Sequence, residues 1–212
     1  MHPSCHTLGF RLPAKRLLPE ELLLEHAKFR ERVSAREFFG NPKHQKAREQ
    51  WCAAHFSRGY ERHLGPCAVW LEEVDPQTDT DFKLEVDAQR HPFQVTEVQE
   101  PGRRRGDEYK RPFVSSIGGE DWSLGSEQGP EWIRAAIDKK LQLYGSVNDL
   151  NLLVYVNFPA YEVNYERVRQ CVSGVAEPFA SVWLLTGNAV ACLKSNPRLA
   201  TLEAWLGIPE SP

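Results

Sequence analysis

The periodicity of the 212-residue chain predicts one mixed α/β domain: two helical stretches, then three short strands, then helices alternating with apolar strands. The length suits a single domain, which buries roughly 70% of its unfolded surface. Six Trp, ten Phe and an apolar fraction of 41% supply a core and argue against a disordered chain.

Each element has its own signature. Residues 1–18 carry basic side chains and Pro13 without a period, and read as an arm. Pro19 opens the first helix with Glu20 and Glu21 in its first turn, where acids complement the helix dipole. Leu22, His26, Phe29 and Val33 follow at helical spacing, and Gly40-Asn41-Pro42 ends the segment. A second helix is expected from about Lys43 to His63, with Ala47, Trp51, Ala54 and Arg58 in one stripe and Gly65-Pro66 as its stop.

The period then shortens to two. Residues 67–74 read as a strand and 75–80 as a polar turn, and 81–87 alternate strictly between polar and apolar side chains. A turn over 88–91 returns the chain into a third strand, 92–99. After a Gly/Arg-rich loop, Pro130 is expected to start a helix from Glu131 to about Tyr144. Residues 151–157 form an almost continuous apolar run, the mark of a central strand. A short helix over 162–174, with Val168, Cys171 and Val172 on one side, precedes a strand pair, 181–185 and 189–193, joined through Thr186-Gly187-Asn188. Residues 1–42 are expected to form an arm and helix packed on the main unit, 43–212.

The net charge of −3 disfavours a nonspecific nucleic-acid coat protein but allows an enzyme with one local basic patch. Five scattered cysteines, the lack of an apolar leader within residues 1–20 and the lack of an apolar run of about 18 residues predict reduced thiols in a cytoplasmic protein that does not enter membranes. The oligomeric state is left open, a homodimer included.

Chemistry concentrates in strands two and three. If their turn centres near residue 89, facing residues have numbers totalling about 178, and Asp81 falls opposite Glu97. Carboxylates that close repel unless protonated or bridged by a cation. Hard oxygen donors at that separation suit Mg²⁺ or Mn²⁺.

The αβββαβ order over roughly residues 43–157, with Asp81 opening strand two and Glu97-Val98-Gln99 on strand three, resembles the PD-(D/E)xK nuclease superfamily. The resemblance implies a restriction endonuclease-like α/β core, a mixed central sheet flanked by helices, with an N-terminal helical extension. It implies that Asp81 and Glu97 bind metal and that DNA is the partner. Two departures stand out: Thr80 rather than proline precedes Asp81, and Gln99 holds the slot of the motif lysine. Glutamine can hold a water or a phosphate but carries no charge. A register using Gln94-Val95-Thr96 offers no acid at all.

A substitute cation is sought on the next helix. At about 100° per residue, Lys140 falls among Ile133, Ala136, Ile137 and Tyr144, inside the apolar stripe, where a lysine must snorkel or find a partner. In the resembling family this helix packs beside the active strands, which would let Lys140 stabilise the attacking water or the developing phosphorane charge, so that either Gln99 or Lys140 orients the water. Residues 101–112 carry five cations against two acids. Arg103, Arg104 and Arg105 suit phosphate oxygens and Tyr109 a base; the alternative is a solvated turn paired with Glu100, Asp107 or Glu108.

Two signals carry less. Cys52, His55, His63 and Cys67 have zinc-ligand chemistry, but His55 and His63 lie eight residues apart on one helix, about 12 Å, too far to share an ion. Glu49 precedes strand one, in the helix from which some nucleases of this type contribute an acid; on the residues alone it reads as an exposed partner of Lys46 or Arg48. The leading expectation is a Mg²⁺-dependent nuclease cutting DNA. The alternative is a catalytically degenerate nuclease-like fold acting as a nucleic-acid- or protein-binding module.

Overall fold

The computed structural model describes residues 15–71, 80–103, 122–144 and 147–209. Its elements run β1 (Lys15–Leu17), α1 (Pro19–Arg30), α2 (Ala35–Gly40), a 3₁₀ turn (Pro42–His44), α3 (Gln45–His63), β2 (Ala68–Leu71), β3 (Phe82–Val86), β4 (Gln89–Val98), α4 (Trp122–Tyr144), β5 (Asn151–Val156), α5 (Tyr165–Ala176), β6 (Ser181–Leu185), β7 (Ala189–Lys194) and β8 (Leu206–Gly207). The protein is a mixed α/β fold in which these eight strands form one sheet in chain order. β1 to β4 are antiparallel, β4, β5 and β6 are parallel, and β7 and β8 return antiparallel. β5 lies between two parallel neighbours, as its apolar run predicts.

The two faces carry separate cores. On one, α3 lays Phe56 and Tyr60 against Phe82, Phe93 and Trp183; Phe82 and Phe93 stack with centroids 5.0 Å apart. Leu17, Leu22 and Leu23 belong to the same cluster, so α1 packs onto the main unit. On the other face Ile133 and Ile137 of α4 and Val168 and Val172 of α5 cover Leu152, Val154 and Leu184. No helix among the described residues is long and apolar enough to cross a membrane.

Several boundaries differ from expectation, for local reasons. The first helical stretch breaks in two because the Ser34 hydroxyl accepts the Glu37 N–H and caps a new helix. Helix α4 starts eight residues before Pro130, which sits inside it. A Cβ on Gly125 would lie 1.8 Å from the Pro159 carbonyl oxygen and one on Gly129 2.6 Å from Phe158, so a glycine face lets the helix close on this loop. Burial of that face outweighs the local cost of the proline. Strand 67–74 is described only as far as Leu71, and residues 72–79 lie outside the described residues.

The β3–β4 turn is tighter than expected. It consists of Asp87 and Ala88, both with positive φ (48° and 61°), so β4 begins at Gln89 and pairs it with Val86. Two left-handed residues fit the right-handed twist of a hairpin, but Asp-Ala carries no glycine to announce it. The centre therefore lies nearer the start of the chain than residue 89, and Phe82 pairs with Phe93. Continued one step, this register sets Asp81 beside Gln94. The cross-strand pairing of Asp81 with Glu97 is thus corrected; Glu97 is opposite Tyr155 of β5.

Candidate active site

Asp81 is fixed by the strand it precedes. Its N–H donates to the Phe93 carbonyl at 2.8 Å, and its Oδ2 accepts the Val95 N–H, also at 2.8 Å. The carboxylate is thereby held against the backbone of β4.

Helix α3 brings two charged groups to it. Lys46 Nζ donates to the Asp81 carbonyl at 3.0 Å and lies 3.6 Å from Asp81 Oδ1 and 3.5 Å from Glu49 Oε2. Glu49 also accepts a hydrogen bond from Gln45 Nε2 at 2.9 Å. The Asp81 and Glu49 side chains are only 15% and 16% exposed. Burial first, and then the neighbouring Asp81 carboxylate, push the Glu49 carboxyl above its ordinary pKa, against the opposing pull of Gln45 and Lys46. Two acids and one ammonium thus share a partly dry corner.

Glu97 stands two residues beyond Val95 on β4, about 7 Å along the strand. It takes a hydrogen bond from the Asn157 amide at the end of β5. With Gln45, Glu49, Val95 and Tyr155 it lines a cavity of about 330 Å³ on the α3 face. Glu49 therefore links the two strand acids: it touches Asp81 and shares the cavity with Glu97.

The other expected residues are spread more widely. Gln99 follows the end of β4 and is half-buried. Arg103 is half-buried, its N–H donating to Glu100 O at 3.0 Å. Arg104, Arg105 and Tyr109 lie outside the described residues. Lys140 is on α4, the helix that covers the face opposite to the cavity, with its ammonium 5.4 Å from the Tyr144 ring centroid. Half-buried in the stripe, it snorkels along an aromatic neighbour. Of the zinc-type residues, His63 Nε2 meets Gly207 O at 2.7 Å and the Cys67 thiol, pushed up to about 12 by burial, meets Ser57 O at 3.5 Å.

The sequence offers Glu49 either as an exposed partner of Lys46 or Arg48 or as an acid contributed by this helix, and Lys46 only as that partner; the structure brings both beside Asp81. A signal was present: Glu49 lies three, four, seven and eleven residues ahead of Cys52, Ala53, Phe56 and Tyr60, all buried. The stripe that packs α3 onto the sheet thus continues back through Glu49.

Among the described residues no group of three or more His, Cys, Asp or Glu side chains is arranged to hold a metal ion. The pair Asp81–Glu49 fits a hard divalent cation in its chemistry: two close carboxylates, one resisting ionisation, with water able to complete the shell. No protein-family model, no curated protein and no solved structure matches this chain.

Proposed function

We propose that the chain is a metal-dependent nuclease of the PD-(D/E)xK type that hydrolyses DNA phosphodiester bonds. The observation that carries the reading is the meeting of Glu49, Lys46 and Asp81 at the start of β3, beside a cavity lined by Glu97. The element order α3-β2-β3-β4-α4-β5 supports it, since a hairpin flanked by helices is the frame the resemblance implies.

Asp81 and Glu49 would hold Mg²⁺ or Mn²⁺, with water completing the shell and Glu97 farther along the same face. When bound, the ion supplies charge neutralisation at the phosphate and lowers the pKa of water. Lys46 takes the role of the absent motif lysine. Its flexible stem lets the ammonium leave the two carboxylates for a phosphate oxygen or the attacking water. Asn157 orients Glu97 through its amide hydrogen bond. Gln99, just past the end of β4, would hold a water, and Arg103, with Arg104 and Arg105 after it in sequence, would supply guanidinium groups to the DNA backbone.

The test combines cleavage and melting. Wild-type protein should cut DNA only with Mg²⁺ or Mn²⁺, and either ion should raise the melting temperature; Asp81→Asn should reduce cleavage severely and remove the stabilisation. An unchanged melting curve with either ion, together with intact DNA, would reject the enzyme. The second reading, a degenerate module that binds without cutting, is favoured by Gln99 in the lysine slot. It expects salt-dependent DNA binding with no cleavage.

A further inference from the structure

The cavity beside the acidic pair extends well beyond what a metal site needs. Its upper wall comes from the N-terminal helices: His26 and Arg30 of α1, Phe38 and Phe39 of α2. Trp51 of α3 and Tyr155 of β5 close the sides, their rings in edge contact at 5.1 Å. Four aromatic rings therefore surround a space of about 330 Å³, the scale of a small-ligand pocket.

Two polar atoms in this wall are buried without a hydrogen-bond partner, Arg30 Nη1 and His26 Nε2. The Arg30 guanidinium is held 4.1 Å above the Phe38 ring and 5.6 Å from that of Phe39, so it cannot easily swing to water. Burial, Arg30 and His55 lower His26 to about 4, leaving a neutral imidazole near pH 7. Buried groups of this kind are ordinarily satisfied, and here the missing partner must come from a ligand or from water.

The charges select the ligand. Arg48, the other cation in the wall, is spent on backbone, donating to Phe38 O at 2.7 Å and Asn41 O at 3.4 Å. Glu49 and Glu97 then outnumber the one remaining cation, Arg30, and a free phosphate would meet both carboxylates. A flat, uncharged ring with an acceptor on its edge meets none of these objections. It can stack on the aromatic walls and take the Arg30 donor.

We propose that this cavity receives an unstacked nucleobase of the substrate, the base of a nucleotide adjoining the scissile phosphate. This rests on the nuclease reading for its location, since the cavity shares Glu49 and Glu97 with the candidate active site. Base stacking on aromatic side chains is tolerant of sequence, while the Arg30 donor favours a base with an acceptor edge, guanine foremost. The enzyme therefore needs a nucleotide that can leave the helical stack: a strand end, a single strand or a distorted step.

The experiment uses the full chain and single-stranded oligonucleotides carrying one 2-aminopurine, whose emission falls on stacking. Metal-free wild type should quench a 3′- or 5′-terminal probe. Phe39→Ala and Arg30→Gln should each weaken that binding about tenfold, and an abasic terminus should bind all three proteins equally weakly. Cleavage with Mn²⁺ is read in parallel: if the base pocket acts, replacing the base beside the cut by an abasic unit slows the wild type and not Phe39→Ala. Quenching without cleavage would sink the nuclease reading and keep the pocket. Cleavage that ignores the missing base, with no quenching, would sink the pocket and keep the nuclease. An equal loss for base-bearing and abasic DNA in Arg30→Gln would make Arg30 a phosphate contact and overturn the proposal.

Discussion

The two faces of the sheet solve the same covering problem differently. Against α4 and α5 the cover is apolar: Ile133, Ile137, Val168 and Val172 are buried, and Gly125 and Gly129 press α4 onto Phe158 and Pro159. Against α3 the apolar cover runs from Tyr60 back to Cys52, and there charged groups take over. Helices α1 and α2 prop the space open rather than filling it. The site lies where one helix runs out of apolar side chains while still facing the sheet.

A matched pair of substitutions tests this contrast with the largest expected effects. Asp81→Asn should lower DNA cleavage by about two to three orders of magnitude and remove the stabilisation by Mn²⁺, with a small change in metal-free stability. Ile137→Ala should do the reverse, costing about 2–5 kcal/mol in denaturant unfolding while the folded fraction keeps its cleavage rate. If Ile137→Ala at low temperature also lost cleavage, the functional separation of the two faces would be broken.

Next in size is Lys46→Met. Removing the ammonium leaves Asp81 and Glu49 without their shared counter-ion, so the Glu49 carboxyl should shift further above its ordinary range. Cleavage should drop about tenfold to a hundredfold, read from single-turnover rates. Lys46→Arg should restore part of it. Equal rates for Lys46→Met and wild type would return the search for the cation to another helix.

The pH dependence is smaller and its sign is fixed by Glu49. Its folded pKa is raised, so the folded metal-free protein holds this proton more tightly than the unfolded chain. The contribution to stability is full below the unfolded pKa of 4.5 and is lost as pH rises through the folded value. A bound cation needs the ionised carboxylate, so Mn²⁺ affinity should increase over the same window. Glu49→Gln should flatten both curves, measured by thermal melts from pH 4 upward. A metal affinity with the same pH slope in Glu49→Gln would remove Glu49 from the ligand set.

Much of the fold was legible because period and turn chemistry agree with burial. The apolar run of β5, the Thr186-Gly187-Asn188 hairpin and the Pro19 start each stand where local physics put them. The site was half legible. Asp81 and Glu97 do lie on the α3 side of neighbouring elements, but their direct pairing failed on an Asp87-Ala88 turn: Asp tolerates positive φ, whereas alanine at the second position, where glycine is usual, does not announce it. A shift in turn centre moves every facing pair, so register arithmetic magnifies that error. Glu49 was legible in part: the resemblance offered it as an acid from this helix, but a charged residue early in a helix reads as solvent-facing, and the buried stripe behind it shows otherwise.

Lys140 sharpens the comparison with the smallest effect. Its place in the apolar stripe of α4 invites a catalytic role, yet its ammonium lies by the Tyr144 ring on the face away from Asp81, Glu49 and Glu97. A cation over an aromatic ring at a partly exposed position contributes about 0.5–1 kcal/mol. Lys140→Met keeps the stem and drops the charge, so unfolding free energy should fall by no more than that, and the cleavage rate should stay at the wild-type value. A rate loss as large as that of Lys46→Met, without a matching loss of stability, would mean that a cation on the far face reaches the chemistry after all. The polar corner of Asp81, Glu49 and Lys46 on the α3 face would then no longer account for the proposed activity.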